Sequence, residues 1–544
     1  MTIQKTILAC AISTLALAGC GTEEQDGGGN IAARTATSNN AASGTVVDGP
    51  ITRAVVYYDL NGNLKKDSYE PYALTDNNGH YNYDMVNGVS YCYGETYRSE
   101  FCLELTSGQK EAITSDTQII VTGGYDLYTG EPFEGTMSFP ALSSTSQSQF
   151  IAITPMTSMI EKDGRGPLVD YLTDTIGSSV ITLENVLNLN FLASEEKFHP
   201  QAFAITYRMH KYVTVISDWV NEHYSAIEDG EDLPSDISAI VYREFIKLDE
   251  AQYALAWDGI RGDIEALYGE ANLTIPAAPN AAAVAVLSAR LAAVNSAVET
   301  AFGNAPLGSD LTFPTVKGLI RGVEVVVLKI IRGETETSHV SALAALSDSG
   351  YKTSLQGDVD GNFNFTKLVE TTGTTAEILQ AANNATSTAG TSLDSDVAGK
   401  SLEFSDTEGR VTSAAAIYFT GNAADDRGDI HLCLQYTDLD DTDNNVEGSY
   451  IPGHWEANPA LNNTLMLSMT YLGERNAVLK KVGTSADLNT VEYRFDFAGE
   501  IINFESSASE GEDLVPTAED AVIPTSDEAC QAYFDDIAAA QLPL

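Results

Sequence analysis

The chain has 544 residues, of which 43% are hydrophobic and 8% aromatic, which is enough for about two to four domains with packed cores. It carries 77 acidic residues against 29 basic ones, for a formal net charge of −48. A surface this acidic repels nucleic acid and anionic headgroups and favours divalent cations, so the charge argues against nucleic-acid binding; it is also typical of proteins adapted to salty surroundings.

The first twenty residues have the composition of an export signal. Lys5 precedes an apolar stretch, 6–18, that is too short to span a bilayer, and Gly19 and Cys20 follow it. This order resembles the lipobox of bacterial lipoproteins, in which the cysteine is lipidated and becomes the first mature residue. The resemblance implies a signal peptide over 1–19 and a lipid anchor on Cys20. Because Gly21 replaces the aspartate that commonly signals inner-membrane retention, we expect an outer-membrane lipoprotein, facing either the cell surface or the periplasm.

Residues 20–44 are predicted to be a lipidated, flexible tether. They are small, polar and rich in Gly, Ser, Ala and Thr, so they have too little apolar surface to bury a core. A coil of this length spans roughly 25–30 Å, which would hold the folded part of the chain clear of the membrane.

Residues 45–150 are predicted to form short β-strands. Ala54–Tyr58 is β-branched and aromatic, Tyr72–Thr75 is short and extended, and His80–Val86 alternates in polarity. The segment 76–79 between the last two contains residues that accept a positive φ, as a tight turn requires. Short strands at this close spacing predict a small antiparallel sandwich.

The strongest internal motif, DLNGNLKKDSYE, follows the first of these strands. Its oxygen-bearing side chains fall at positions 1, 3, 5, 9 and 12 of a calcium-loop template, and Ca²⁺ takes about six to eight oxygen ligands. An EF-hand would need glycine where Leu64 stands and a helix where a strand is predicted. The motif therefore predicts a structural calcium site of another kind, and a metal-free turn is the alternative. The candidate ligands are Asp59, Asn61, Asn63, Asp67 and Glu70.

The region around this motif resembles the Ig-like β-modules of bacterial surface proteins called SdrD B-like, Cna B-like or carboxypeptidase-regulatory-like. In those modules a strand enters a D-x-N-x-N…D-x-x-E loop, and a hairpin of the form T-D-x-N-G-x-Y follows, as TDNNGHY does here. The likeness continues through 123–141 and 152–160 and so covers about residues 45–165. It implies an Ig-like sandwich, the matched calcium positions and a setting in surface display or adhesion, and it brings no catalytic residues.

Residues 151–349 are predicted to be helical. In Ala281–Phe302 apolar residues recur at intervals of three and four, with Asn280 and Gly303 as caps, and Gln201–Ser225 carries a similar stripe. The β-branched run Val323–Ile331 fits either a helix or a strand, and we assign it to a helix. Further helices are predicted over 164–176, 234–248 and 249–270.

Residues 350–544 are predicted to form an all-β domain, either a sandwich or a barrel, because alternating segments are joined by Gly-, Asp- and Asn-rich connections. The predicted strands are Asn362–Leu368, Ala415–Thr420, Asp429–Tyr436, Thr464–Tyr471 and Thr490–Phe497. The predicted fold is thus α+β and multidomain: an Ig-like β-sandwich, a central α-helical domain and a C-terminal β-domain.

Four cysteines remain after Cys10 leaves with the signal and Cys20 takes the lipid. An even number in an oxidising compartment favours disulfides, with three pairings possible. The economical choice joins Cys92 to Cys102 and Cys433 to Cys530, because each bridge then stays within one β-rich region. A zinc site is the alternative, although neither a CxxC motif nor paired histidines accompany these cysteines.

The sequence contains none of the G-x-S-x-G, H-E-x-x-H or S-x-x-K motifs with matching partners, so no catalytic residue is assigned. The leading hypothesis is a surface-displayed, lipid-anchored binding or adhesion protein, stabilised by Ca²⁺ and non-enzymatic, with a glycan or a surface protein as ligand. The alternative is a polysaccharide-active enzyme or a glycan-binding accessory lipoprotein, which requires facing carboxylates or an aromatic platform. The tyrosines considered for such a platform are Tyr81, Tyr83, Tyr91, Tyr93 and Tyr97.

Overall fold

The computed structural model describes the chain from Ala42 onward, with gaps. The predicted signal peptide, Cys20 and nearly all of the tether therefore lie outside the described residues, as do the helix expected over 249–270 and most of the segments 164–176 and 362–368. The described residues are 42–47, 49–64, 66–114, 117–130, 133, 135–140, 150–159, 173, 182, 186, 200–224, 237–245, 281–303, 313–331, 336–357, 368–369, 371, 373–380, 393, 397–398, 401–408, 411–421, 427–438, 447–458, 464–470, 474–485, 490–497, 500–506 and 523–541.

The protein combines helices with several largely antiparallel sheets, which confirms the mixed α+β class. The N-terminal part, which we call the β-unit (residues 42–159), is built from short strands, and its described residues include a short helix, α1 (Ser107–Ala112), capped at Thr106. Single turns of 3₁₀-helix lie at Gly94–Thr96, Ser99–Phe101 and Thr157–Met159. The strands are β1 (Gly44–Val46), β2 (Ile51–Thr52), β3 (Val55–Asp59), β4 (Tyr72–Leu74), β5 (His80–Tyr81), β6 (Tyr83–Asp84), β7 (Val89–Ser90), β8 (Gln118–Thr122), β9 (Tyr125–Asp126), β10 (Thr136–Pro140) and β11 (Ile151–Ile153).

Two sheets of the β-unit share one hydrophobic core. The larger has the antiparallel order β10-β8-β3-β4 and the smaller the order β11-β1-β5, and Val56, Phe139, Val46 and Tyr81 from both sheets are buried together. The expectation of a purely antiparallel sandwich ending at residue 150 is wrong in one respect. β1 and β11 pair in parallel, so Ile151–Ile153 belongs to the β-unit rather than to the helical region.

A bundle of helices forms the second core. Its centre is the apolar helix α5, which contacts α2, α4, α6 and α7. The predicted helix over 281–302 is confirmed, and Gly303 ends it with φ +84. The run 323–331 is likewise helical. The helices are α2 (Pro200–Tyr224), α3 (Ser238–Phe245), α4 (Ala281–Phe302), α5 (Phe313–Ile331), α6 (Glu336–Ser347) and α7 (Ser349–Gly357).

Within α4, residues 282–302 are long and apolar enough to cross a membrane by length and composition, which is weak evidence for a span because core helices of soluble proteins share these properties. One face of α4, including Leu287, Val294 and Phe302, packs in the helical core.

The predicted start of the C-terminal β-domain at residue 350 is wrong. The Ser-Asp-Ser-Gly sequence at 347–350 looks like a loop, but the Asp348 carboxylate accepts hydrogen bonds from Gly350 N and Tyr351 N and starts helix α7. Tyr351 and Leu355 of this helix are buried against the helical bundle. The first strand of the C-terminal sheet begins only at Ser401.

The C-terminal sheet has eight strands, each antiparallel to the next along the chain, and its first and last strands contact each other. This is the strand order found in up-and-down barrels, and we call these eight strands the barrel. Alternate side chains such as Phe419, Leu432 and Trp455 fill the interior. The strands are β12 (Ser401–Glu408), β13 (Val411–Phe419), β14 (Arg427–Asp438), β15 (Glu447–Ala457), β16 (Thr464–Thr470), β17 (Glu474–Ser485), β18 (Thr490–Phe497) and β19 (Glu500–Ser506).

A last helix, α8 (Asp527–Gln541), covers the outer face of β14 and β15. Phe534 packs there with Tyr418, and Cys530 is joined to Cys433 by a disulfide. The terminal segment is therefore fixed to the barrel both by apolar packing and by a covalent bond.

Candidate metal centre

The predicted calcium loop, from Asp59 to Glu70 and called the calcium loop below, connects two neighbouring strands of the larger sheet. β3 ends at Asp59, and β4, which begins at Tyr72, pairs with β3 in antiparallel register. The two ends of the loop are therefore held side by side by the sheet. This geometry brings the first and the last predicted ligands, Asp59 and Glu70, to the same end of the β-unit.

Asp59 organises the first half of the loop. Its Oδ1 accepts hydrogen bonds from Gly62 N at 2.7 Å and Asn63 N at 3.2 Å, and its Oδ2 accepts one from Leu64 N at 3.1 Å. Gly62 and Leu64 both have a positive φ, which tightens the turn around this carboxylate. Burial raises the pKa of the Asp59 carboxyl above its usual value, although the backbone N–H donors oppose that effect.

Glu70 closes the loop. Its Oε1 accepts a hydrogen bond from Leu60 N at 2.7 Å and its Oε2 one from Asp67 N at 3.0 Å, so one carboxylate ties the start of the loop to its end. Glu70 is buried like Asp59, and burial raises the pKa of its carboxyl too.

The remaining candidate ligands meet at Asp67. Asn61 Nδ2 and Asn63 Nδ2 donate to Asp67 Oδ2 at 2.7 and 3.0 Å. The structure thus gathers all five predicted residues in one hydrogen-bonded loop. Three carboxylates and two amides are an oxygen-rich set that suits Ca²⁺. The internal hydrogen bonds equally satisfy the metal-free alternative, and calcium binding requires both amides to turn their carbonyl oxygens inward.

A second group of side chains, which we call the acidic cluster (Asp76, His80 and Asp84), was not predicted from the sequence. The sequence of this segment predicted only a turn and an alternating strand. Among the described residues, one atom from each of Asp76, His80 and Asp84 lies within 4.8 Å of the others. The spacing of four residues between successive members is the only signal in the sequence. In a straight strand, residues four apart are separated by about 13 Å. Asn82, with φ +63, breaks the strand between β5 and β6 and brings His80 and Asp84 together.

The structure pairs Cys92 with Cys102 and Cys433 with Cys530, which is the pairing that the sequence favours. The Cα–Cα distances of 5.2 and 5.4 Å lie within the range that a disulfide spans. The four cysteines are thereby accounted for without a zinc ion. The first bridge closes a short loop beside the acidic cluster, and the second fixes α8 to the barrel.

The tyrosines considered for a sugar platform do not share one surface. Tyr81 is buried in the core and Tyr91 donates to Asp76, whereas Tyr83 is exposed. Two other tyrosines, Tyr69 and Tyr72, are exposed at the calcium loop, at 54% and 39%.

Comparison of the whole chain with models of known protein families, with curated proteins and with solved structures found no match.

Proposed function

We propose that this protein is a surface-displayed, lipid-anchored binding or adhesion protein, non-enzymatic, whose N-terminal β-unit is an Ig-like module stabilised by Ca²⁺. The lipobox-like sequence before Cys20 supports the anchor, and the polar residues that follow support a tether. The shared core of two facing sheets supports the Ig-like interpretation of the β-unit.

The observation that carries the proposal is the convergence of Asp59, Asn61, Asn63, Asp67 and Glu70 in one loop. Two of its three carboxylates are buried, and burial raises the pKa of both because it disfavours their charged form. A bound Ca²⁺ would compensate that charge with the oxygen ligands it prefers. The loop would then become a rigid end of a module carried outward by the tether.

Display is tested by fractionation and by protease treatment of intact cells. We expect the full-length protein to fractionate with the outer membrane and to be cleaved by protease added outside. The Cys20→Ala variant should be lost from the outer-membrane fraction, while a Cys10→Ala variant, altered inside the signal segment, should behave as wild type. Recovery of Cys20→Ala in the outer-membrane fraction would contradict the anchor. Unchanged attachment of cells after deletion of the gene would contradict the adhesion role.

A second candidate function, glycan binding, is favoured by the aromatic side chains at the loop. Tyr69 and Tyr72 are exposed on either side of Glu70, and Lys66 Nζ lies 4.0 Å from the centre of the Tyr72 ring. Exposed aromatic faces beside a calcium site suit the apolar faces and hydroxyls of sugar rings. On a glycan array with Ca²⁺, Tyr69→Ala should lose binding, whereas Tyr83→Ala, exposed elsewhere on the β-unit, should retain it. Equal binding by both variants would contradict this surface.

The enzyme alternative requires two facing carboxylates in an open groove. One pair that the described residues bring together, Asp76 and Asp84, is buried and accepts hydrogen bonds from its own turns. This pair therefore supports a structural or metal-binding role more than glycoside hydrolysis.

A further inference from the structure

The Nδ1 atom of His80 lies between the two carboxylates of the acidic cluster. It is shielded from solvent and has no hydrogen-bond partner among the described residues. It lies 3.6 Å from Asp76 Oδ2 and 3.9 Å from Asp84 Oδ1. A protonated His80 would form ion pairs with both carboxylates, whereas a neutral imidazole between two carboxylates leaves this nitrogen as a ligand for a cation that the three groups could share.

The separations are too long for hydrogen bonds but suit a shared metal ion. An N–H···O hydrogen bond spans about 2.7–3.2 Å. Zinc binds nitrogen at about 2.0–2.1 Å and carboxylate oxygen at about 2.0–2.2 Å, so two ligands of one tetrahedral ion are about 3.4 Å apart. The two measured distances lie slightly above that value. The three ligand atoms all lie within 4.8 Å of one another, so an inward movement of the side chains would let them share one ion.

Both carboxylates are already held in place by other groups. Asp76 Oδ1 accepts from Asn78 N and His80 N, and its Oδ2 accepts from the Tyr91 hydroxyl at 2.6 Å. Hydrogen bonds of this kind orient metal ligands and tune their affinity.

Asp84 is held in a similar way by the hairpin that follows it. Its Oδ1 accepts from Val86 N at 2.8 Å and Asn87 N at 3.1 Å, and its Oδ2 accepts from Asn87 Nδ2 at 2.6 Å. Both carboxylates are therefore held in fixed orientations by neighbouring groups.

We propose that Asp76, His80 and Asp84 form a binding site for a first-row divalent transition metal, with Zn²⁺ as the best match. The imidazole ligand favours Zn²⁺ and its neighbours over Ca²⁺ and Mg²⁺, which prefer oxygen alone. Two buried carboxylates supply two negative charges for a doubly charged ion. Three protein ligands leave a further position for water, as in open zinc sites. This site is distinct from the calcium loop and does not depend on the proposed function.

The site lies where three segments of the β-unit meet, so a bound metal ion would connect them. His80 pairs with Thr45 of β1, the first strand after the tether, and Asp84 begins the β6–β7 hairpin. A metal ion here would fasten the turn at 76–79, strand β5 and that hairpin at the place where the chain enters the folded region. Zinc would therefore raise the stability of the β-unit by mass action.

The test is metal binding by the full-length protein, purified in detergent and freed of metal with a chelator. We expect wild type to bind one more Zn²⁺ per chain than His80→Ala, and Co²⁺ to give visible d–d bands that His80→Ala lacks. Tyr91→Phe, which removes the hydroxyl that donates to Asp76, should weaken Zn²⁺ binding by roughly 10- to 100-fold. The matched control is His454→Ala, at an exposed histidine on the barrel, which should bind Zn²⁺ as wild type does.

Two further variants separate a loss of metal binding from a loss of folding, and this site from the calcium loop. Asp84→Asn retains the oxygen that accepts from the backbone but lowers the ligand charge, so it serves if His80→Ala does not fold, and it should also lose the extra Zn²⁺. Asp59→Asn should leave Zn²⁺ binding unchanged, which separates this site from the calcium loop. Equal Zn²⁺ binding by wild type and Asp84→Asn, or displacement of Zn²⁺ by millimolar Ca²⁺, would overturn the proposal.

Discussion

Arg53 Nη2 and Glu456 Oε2 lie 2.5 Å apart and form an ion pair between the β-unit and the C-terminal barrel. The Arg53 side chain is 7% exposed, that of Glu456 is 19% exposed, and the guanidinium also lies over the Phe101 ring at 5.2 Å. Arg53 adopts φ +58, which an ordinary residue avoids. The turn after β2 therefore presents this arginine to the barrel.

A double-mutant cycle with Arg53→Gln and Glu456→Gln measures how strongly the pair couples these two parts of the protein. Each single variant should be destabilised, because it leaves a largely buried polar partner behind. The coupling free energy should be about 0.5–3 kcal/mol in denaturant unfolding of the full chain. Strictly additive effects would show that the contact contributes nothing to stability.

The calcium loop predicts a stability that depends on the ion. Adding Ca²⁺ at about 100 times its Kd should stabilise the full-length protein by about 2.7 kcal/mol, and a chelator should remove this gain. Asp59→Asn should abolish most of the difference, because it removes the buried negative charge at the first ligand position. Asp348→Asn is the matched control, since Asp348 also accepts backbone N–H groups at a turn but lies outside the loop. A wild-type melting temperature that is the same with and without Ca²⁺ would contradict calcium binding by this loop.

The sequence predicted those parts of the fold whose signal is local. The apolar spacing in 281–302 gave helix α4 with its observed bounds, and the alternation in Thr490–Phe497 gave strand β18. The five candidate ligands of the predicted calcium loop were also identified from a local motif, and the structure places them in one hydrogen-bonded loop.

The remaining features depend on contacts that the local pattern does not contain. Gly44 pairs with Ile151 across more than a hundred residues, and the parallel pairing of β1 with β11 has no local signature. His80 approaches Asp84 only because Asn82 takes a positive φ, supported by hydrogen bonds of its side chain to Leu103 N and Ala42 O. These long-range partners could not be assigned from one sequence.

The crossing of α5 and α7 requires glycine at position 318. A Cβ added there would lie 1.6 Å from the carbonyl oxygen of Leu355, which is backbone and cannot move aside cheaply. Gly318→Ala should therefore destabilise the protein by about 1–3 kcal/mol or more in denaturant unfolding. Gly108→Ala in helix α1 is the control, because its Cβ meets nothing within 4 Å and alanine favours the helix. Similar stabilities for the two variants would contradict the observed crossing.

His431 on the outer face of the barrel should make stability fall in mild acid. Its Nδ1 is hydrogen-bonded to the Tyr450 hydroxyl at 2.8 Å, and partial burial lowers the pKa of the imidazole below its usual value, with the charge of Asp429 acting in the opposite direction. The folded state therefore binds this proton less readily than the unfolded state.

From this sign, the contribution of His431 is fully present above the unfolded pKa of about 6.5 and is lost as the pH falls through the lower folded value. Denaturant unfolding between about pH 7 and 5 should show wild type losing more stability than His431→Gln, whose side chain does not titrate. His454→Gln controls for a histidine that is exposed and paired with Asp429 at 2.7 Å. If His431→Gln loses as much stability as wild type over this range, the folded state does not favour the neutral form of His431.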